Sequence, residues 1–223
     1  MGPRGMPGQR MTSGAVSLRI EGLACRRGGR LLFTGLDLAL TAGQSALVAG
    51  PNGIGKSSLL RTIAGLLPAF AGTMHHEGGI ALTDEASALD RERTLRGALR
   101  FWARMDGAAP ERIDAALADL GIAHLADIPV RILSTGQRKR AALARTIVSR
   151  AGIWLLDEPA NGLDTASARA LGTVVRRHCA QGGIVLAASH MPLDWPHDAE
   201  ITLAAPAEAE AEADADLDME RPA

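Results

Sequence analysis

Four short apolar runs punctuate this chain: residues 46–49, 80–83, 153–156 and 184–188. Each has the length and the polar bounds of a strand buried on both faces. Two other stretches, 17–21 and 36–40, alternate apolar with polar residues. That alternation predicts strands with one wet face, an antiparallel β flap. Residues 201–203 offer one last short strand. Between these runs the period becomes helical. Residues 58–64 read as a helix. Leu95, Leu99, Trp102, Ile113, Leu117 and Leu120 recur at helical spacing, with Pro110 suited to a first turn and Gly121 to a helix end. Residues 86–131 are expected to form a small helical subdomain inserted into an α/β core. Ser134 is placed to cap a helix running from about 136 to 150, and 165–181 reads as another. Residues 72–79 are glycine-rich and read as a turn-rich connection. Their pair His75-His76 has no carboxylate or third histidine at metal-binding spacing, so it reads as part of a solvated turn.

Composition narrows the class. The chain has 223 residues and is 47% hydrophobic, which suits one compact domain. No run approaches the roughly 18 apolar residues of a spanning helix, and no secretory signal is visible, so a cytoplasmic location is expected. Residues 1–14, rich in Gly, Pro and Met, read as a disordered tail, and Met11 is an alternative start. Cys25 and Cys179 lie far apart and read as two reduced thiols. The net charge is −1, but residues 204–223 hold seven acids and one base, so the body before them carries +5. The tail reads as solvated and disordered. A mildly basic body suits a nucleotide ligand and is too weak to argue for nucleic acid.

The chemistry centres on Gly50-Pro51-Asn52-Gly53-Ile54-Gly55-Lys56-Ser57-Ser58, which fits G-x-x-x-x-G-K-[ST]. Closely spaced glycines let backbone N–H groups surround an anion, and the following helix adds the positive end of its dipole. Lys56 can reach the β- and γ-phosphates, and the Ser57 hydroxyl can ligate magnesium. An apolar strand before the loop and a helix after it supply the context that the motif requires. Lysine occurs only at Lys56 and Lys139, so its presence in this slot is informative.

Four further pieces follow in order. Leu133-Ser134-Thr135-Gly136-Gln137 opens a helix. An apolar strand ends in Asp157-Glu158, Asn161-Gly162-Leu163-Asp164 comes just after it, and His190 closes the next strand. Asp157 can hold the magnesium shell, Glu158 can polarise an attacking water, and His190 can contact the γ-phosphate. Phosphoryl transfer needs mainly such positioning and charge stabilisation.

On these pieces the chain resembles the nucleotide-binding domain of ATP-binding cassette proteins, with a P-loop NTPase core over residues 15–203. Thr135 stands where the family's signature motif most often has glycine. The resemblance implies ATP and Mg2+ as ligands, and two copies paired head to tail. Each ATP would then lie between the loop of one copy and Ser134, Gly136 and Gln137 of the other, with Asp164 at the dimer seam. Softer likenesses at 99–102, 127–130, 181–185 and 190–193 make the chain similar to ATP-binding subunits of cytochrome c maturation haem exporters. That implies integral membrane permease subunits, a peripheral place on the cytoplasmic face of the inner membrane, and ATP turnover driving haem export or release of a haem chaperone. The alternatives are the ATPase of another small exporter, or a nucleotide-gated scaffold with little turnover. A chromosome- or repair-type ATPase would need a long coiled coil that 58–132 is too short to hold.

Two departures from the family are visible. The glutamine usual after the strand at 80–83 is absent, and Asp84 or Glu85 stands there, Glu85 in the better register. A carboxylate can still ligate magnesium. The aromatic that usually stacks on adenine is replaced near Arg27, whose guanidinium can stack on a base or lie free as a surface charge.

Overall fold

The computed structural model describes residues 15–84 and 89–204. The expectations for the N-terminal tail, for Glu85 and for nearly all of the acidic tail lie outside the described residues. The core is a five-stranded sheet in the order β5-β6-β7-β3-β8, formed by Ser45–Ala49 (β3), Ile80–Thr83 (β5), Ile153–Asp157 (β6), Ile184–Ala188 (β7) and Ala199–Thr202 (β8). Every pairing in it is parallel. Parallel neighbours need crossovers, and helices supply them: Lys56–Ile63 (α1) follows β3, Thr135–Val148 (α4) precedes β6, and Thr165–Ala180 (α5) joins β6 to β7.

Period-two burial explains the layers. Ile153 and Leu155 of β6, with Ile184 and Leu186 of β7, face one apolar cluster with Leu59, Leu60 and Ile63 of α1. Trp154, Leu156, Val185 and Ala187 face the opposite cluster, with Leu143 and Ala144 of α4 and Leu171 and Val174 of α5. That second cluster continues into Leu95–Met105 (α2) and Glu111–Asp119 (α3), through Leu95, Leu99, Ile113 and Leu117. Thr94 caps α2 by accepting from Gly97 N at 3.1 Å, and Gly121 ends the α3 segment at φ 65.

A separate antiparallel sheet, β2-β1-β4, covers the α1 face. Its strands Ser17–Arg27 (β1) and Arg30–Thr41 (β2) are longer than the alternation predicts. Register shifts between Ile20 and Leu23 and between Leu23 and Cys25 break the period there. The connection expected at 72–79 is in fact a strand, Ala71–Glu77 (β4), paired with β1 so that His75 lies opposite Arg19 and His76 opposite Leu18. All of its residues but the half-buried Met74 are exposed, so it carries no apolar pattern. Backbone pairing with β1, with Met74 packed against the apolar cluster beneath, makes it a strand. Gly72, at φ 85, permits the approach, because a Cβ there would lie 2.4 Å from Gly22 O.

At the N-terminal end of the core sheet, His178 of α5 stacks on Trp154 at 3.7 Å between ring centroids. Its Nε2 lies 3.1 Å from Gly152 O. Burial depresses the imidazole from 6.5 to about 4, against the pull of backbone contacts with Gly152 and Ile184. A depressed histidine is neutral in both states above pH 6.5, so its contribution is fully present there. As pH falls from 6.5 towards 4 the unfolded chain takes up a proton that the folded chain refuses, and stability drops by at most about 1.4 kcal/mol per pH unit. Denaturant titrations across that window are expected to show this slope in the wild type and a shallower one in His178→Gln. Equal slopes would mean that His178 does not titrate in this way.

Candidate functional site

Strand order sets the site. β7 lies between β6 and β3, so the segments leaving the C-terminal ends of these three strands converge. In open α/β sheets ligands bind outside those ends. The loop after β3 brings Asn52, Gly53, Gly55, Lys56, Ser57 and Ser58, β6 ends in Asp157 and continues into Glu158 and Asn161, and His190 comes two residues past the end of β7. These groups line one cavity of about 460 Å3, closed on the flap side by Arg27 and Leu32.

Gly50, Gly53 and Gly55 adopt φ of 141, 80 and 119, conformations that let the loop fold back on itself; the Ile54 N–H donates to Pro51 O at 3.4 Å. Lys56 opens α1, so the first-turn N–H groups, which no intrahelical carbonyl can satisfy, lie at the loop. Only 5% of Lys56 is exposed. Its Nζ donates to Gly50 O at 2.7 Å and Pro51 O at 3.2 Å, and stands 3.5 Å from Glu158 Oε1.

Asp157 is 3% exposed, and its Oδ1 is buried without a hydrogen-bond partner among the described residues. Burial pushes this carboxyl above the usual range, opposed by a hydrogen bond from Ser57 and by the charge of Lys139. An unpartnered carboxylate oxygen beside a serine hydroxyl is a hard oxygen donor pair, the kind magnesium prefers. Glu158 is the one non-glycine with positive φ among the described residues, at 46. Its Oε2 lies 2.9 Å from His190 Nδ1, so the carboxylate orients the imidazole. Backbone strain of this kind concentrates at functional sites.

The other predicted residues lie apart from this cavity. Ser134 caps α4: its Oγ accepts from Gln137 N at 3.3 Å, and Gln137 Oε1 accepts from Ser134 N at 2.9 Å. That reciprocal capping box presents the N-terminus of α4. Gly136 follows closely on Gly162, with a Cβ at 136 falling 3.1 Å from Gly162 O. Asp164 caps α5 by accepting from Ser167 N at 2.7 Å. That hydrogen bond, with one from the Ser167 side chain, holds Asp164 below the usual carboxylate range. Asp84 lines a second cavity, of about 490 Å3, with Leu66, Asp106 and Arg145, and pairs with Arg61 at 3.3 Å; it does not line the first. Leu32 was not singled out, and no spacing signal marks it; Asn161 lines the cavity as the first residue of the piece that follows Asp157-Glu158, though no role was given to it.

Comparison with known proteins fits this geometry. The family described as ABC transporter matches residues 33–161. A Sphingopyxis alaskensis protein named cytochrome c biogenesis ATP-binding export protein CcmA is 52% identical over 188 residues, covering 84% of this chain and 97% of that one. The chain belongs to the ATP-binding cassette transporter family. A protein of the same name from Novosphingobium aromaticivorans is 55% identical over 172 residues, 77% of this chain and 87% of that one. A solved Pyrococcus furiosus structure described as an ABC transporter ATP-binding protein superposes with a TM-score of 0.75 at 25% identity, covering 84% of this chain and 97% of that one. As an ATP-binding cassette protein the chain binds nucleotide and is an ATPase. Subunits of this kind dimerise and work with membrane components. Among the described residues no helix is long and apolar enough to cross a membrane.

Proposed function

We propose that this chain is the ATP-hydrolysing subunit of an exporter in cytochrome c biogenesis, and that its turnover drives haem export or release of a haem chaperone. The observation that carries this reading is the 52% identity, over 84% of this chain and 97% of the other, to a protein named for that process. The cavity supplies the engine. Lys56 and the loop N–H groups hold the phosphates. Ser57 and Asp157 would hold magnesium, which would supply charge neutralisation at the phosphates. Glu158 polarises the attacking water, and His190, oriented by Glu158, contacts the γ-phosphate. Arg27, at the flap side of the cavity, stacks on adenine.

A second copy completes the site. It faces the first head to tail and turns the N-terminus of α4, with Ser134, Gly136 and Gln137, towards the bound nucleotide, a favourable arrangement for an anion. Asp164 lies at the seam. The pair works at the cytoplasmic face of the inner membrane, against integral permease subunits.

The test is covalent haem in c-type cytochromes, stained on gels from cells carrying Lys56→Ala in place of the wild-type gene. The stain is expected to disappear and to return with the wild-type gene. A normal stain, with ATPase activity of the wild-type protein measured in vitro, would discard the haem assignment and keep the enzyme.

A further inference from the structure

Lys139 is the second of the chain's two lysines, and its place beside the cavity has a structural cause. It lies in α4 and is half-buried. Its Nζ donates to the main-chain oxygen of Asp157 at 3.0 Å. Strand β5 has run out at this level: its last pairing is Thr83 with Leu156, so no β5 residue pairs with Asp157. The same peptide unit is held on its other side by Glu158 N, which donates to Ala188 O at 2.8 Å. This plane sets the entry to Glu158, the residue with φ 46. Just beyond, Asn161 N donates to Glu158 O at 3.1 Å. A left-handed conformation is unfavourable for glutamate and persists only where its surroundings hold it. Among these three bonds the one from Lys139 alone comes from a side chain.

We propose that Lys139 is a positioning residue for Glu158. By pinning the carbonyl of the 157–158 peptide it keeps Glu158 left-handed, with its carboxylate turned to His190 and Lys56. The proposal rests on Glu158 acting as the base for water.

Lys139→Met keeps the stem and removes the donor. In the purified full-length chain kcat is expected to fall about tenfold, the cost of one left-handed residue, with KM for ATP within about twofold of wild type. Lys139→Arg is expected to recover most of the loss. In a Glu158→Gln background Lys139→Met is expected to cost nothing further, because the residue it positions is already disabled. A crystal structure of Lys139→Met is expected to show Glu158 out of the positive-φ region and its contact with His190 broken. Retention of both, or an equal loss of turnover in the Glu158→Gln background, would overturn the proposal. If Glu158→Gln alone left turnover at the wild-type level, the assignment of Glu158 as base would fail instead, and the crystal structure would still decide the clamp.

Discussion

Replacing Lys56 by alanine is expected to lower ATP turnover by more than about 100-fold. The lysine stands across the mouth of the loop, donating to Gly50 O and Pro51 O, with Glu158 Oε1 at 3.5 Å. In the site proposed above, the ammonium exchanges carbonyl partners for phosphate oxygens when a polyphosphate enters. Without it the cavity presents the carboxylates of Asp157 and Glu158 to a polyanion. Coulomb repulsion then opposes binding, in a site where low exposure limits screening. The variant also leaves Glu158, whose side chain is 15% exposed, with His190 as its remaining side-chain partner. A stability cost of about 1–3 kcal/mol is expected from that loss. Turnover, nucleotide affinity and thermal unfolding measured on one preparation separate the effects. A folded variant that turned over ATP at the wild-type rate would refute the assignment of the loop.

The elements that were legible from the sequence are those whose physics is local. Four buried strands announced themselves as apolar runs between turns. Ser134 was readable as a helix-opening residue because a cap is a contact over three positions, whereas the cap that Asp164 makes on α5 was not read from the sequence. The loop was readable because glycine, lysine and serine each have a separate reason to be where they are. What was lost depends on distant partners. β4 is a strand because β1 lies beside it, and all of its own residues but Met74 are exposed. The extra length of β1 and β2 hides behind register shifts that break the alternation. In the site, Asp157, Glu158 and His190 were found from their places at strand ends. Leu32 was missed because a leucine carries no chemistry until a cavity forms around it. Lys139 gave a signal in its rarity, but its partner, a main-chain oxygen 18 residues away, is invisible without the fold. The glutamate expected to replace the usual magnesium-contacting glutamine lies outside the described residues. Its neighbour Asp84 pairs with Arg61 and lines the other cavity.

Replacing Glu158 by glutamine is expected to lower turnover by about 100- to 10,000-fold while leaving nucleotide binding intact. The amide has the same shape as the carboxylate and can keep a hydrogen bond to His190, so the cavity does not collapse. It lacks the basicity to take a proton from water. It also removes one negative charge beside Asp157, so the affinity for ATP with magnesium is expected to hold or rise. This is the opposite of the Lys56→Ala result, in which binding and turnover fall together. The contrast separates the residue that holds the phosphates from the one that acts on water. With ATP trapped and uncleaved, the paired form proposed above should accumulate and elute at twice the mass of a single chain on size exclusion. In Lys56→Ala it should not. Wild-type turnover no higher than that of Glu158→Gln would mean that the glutamate contributes no catalysis, and that nucleotide acts here as a gate for assembly.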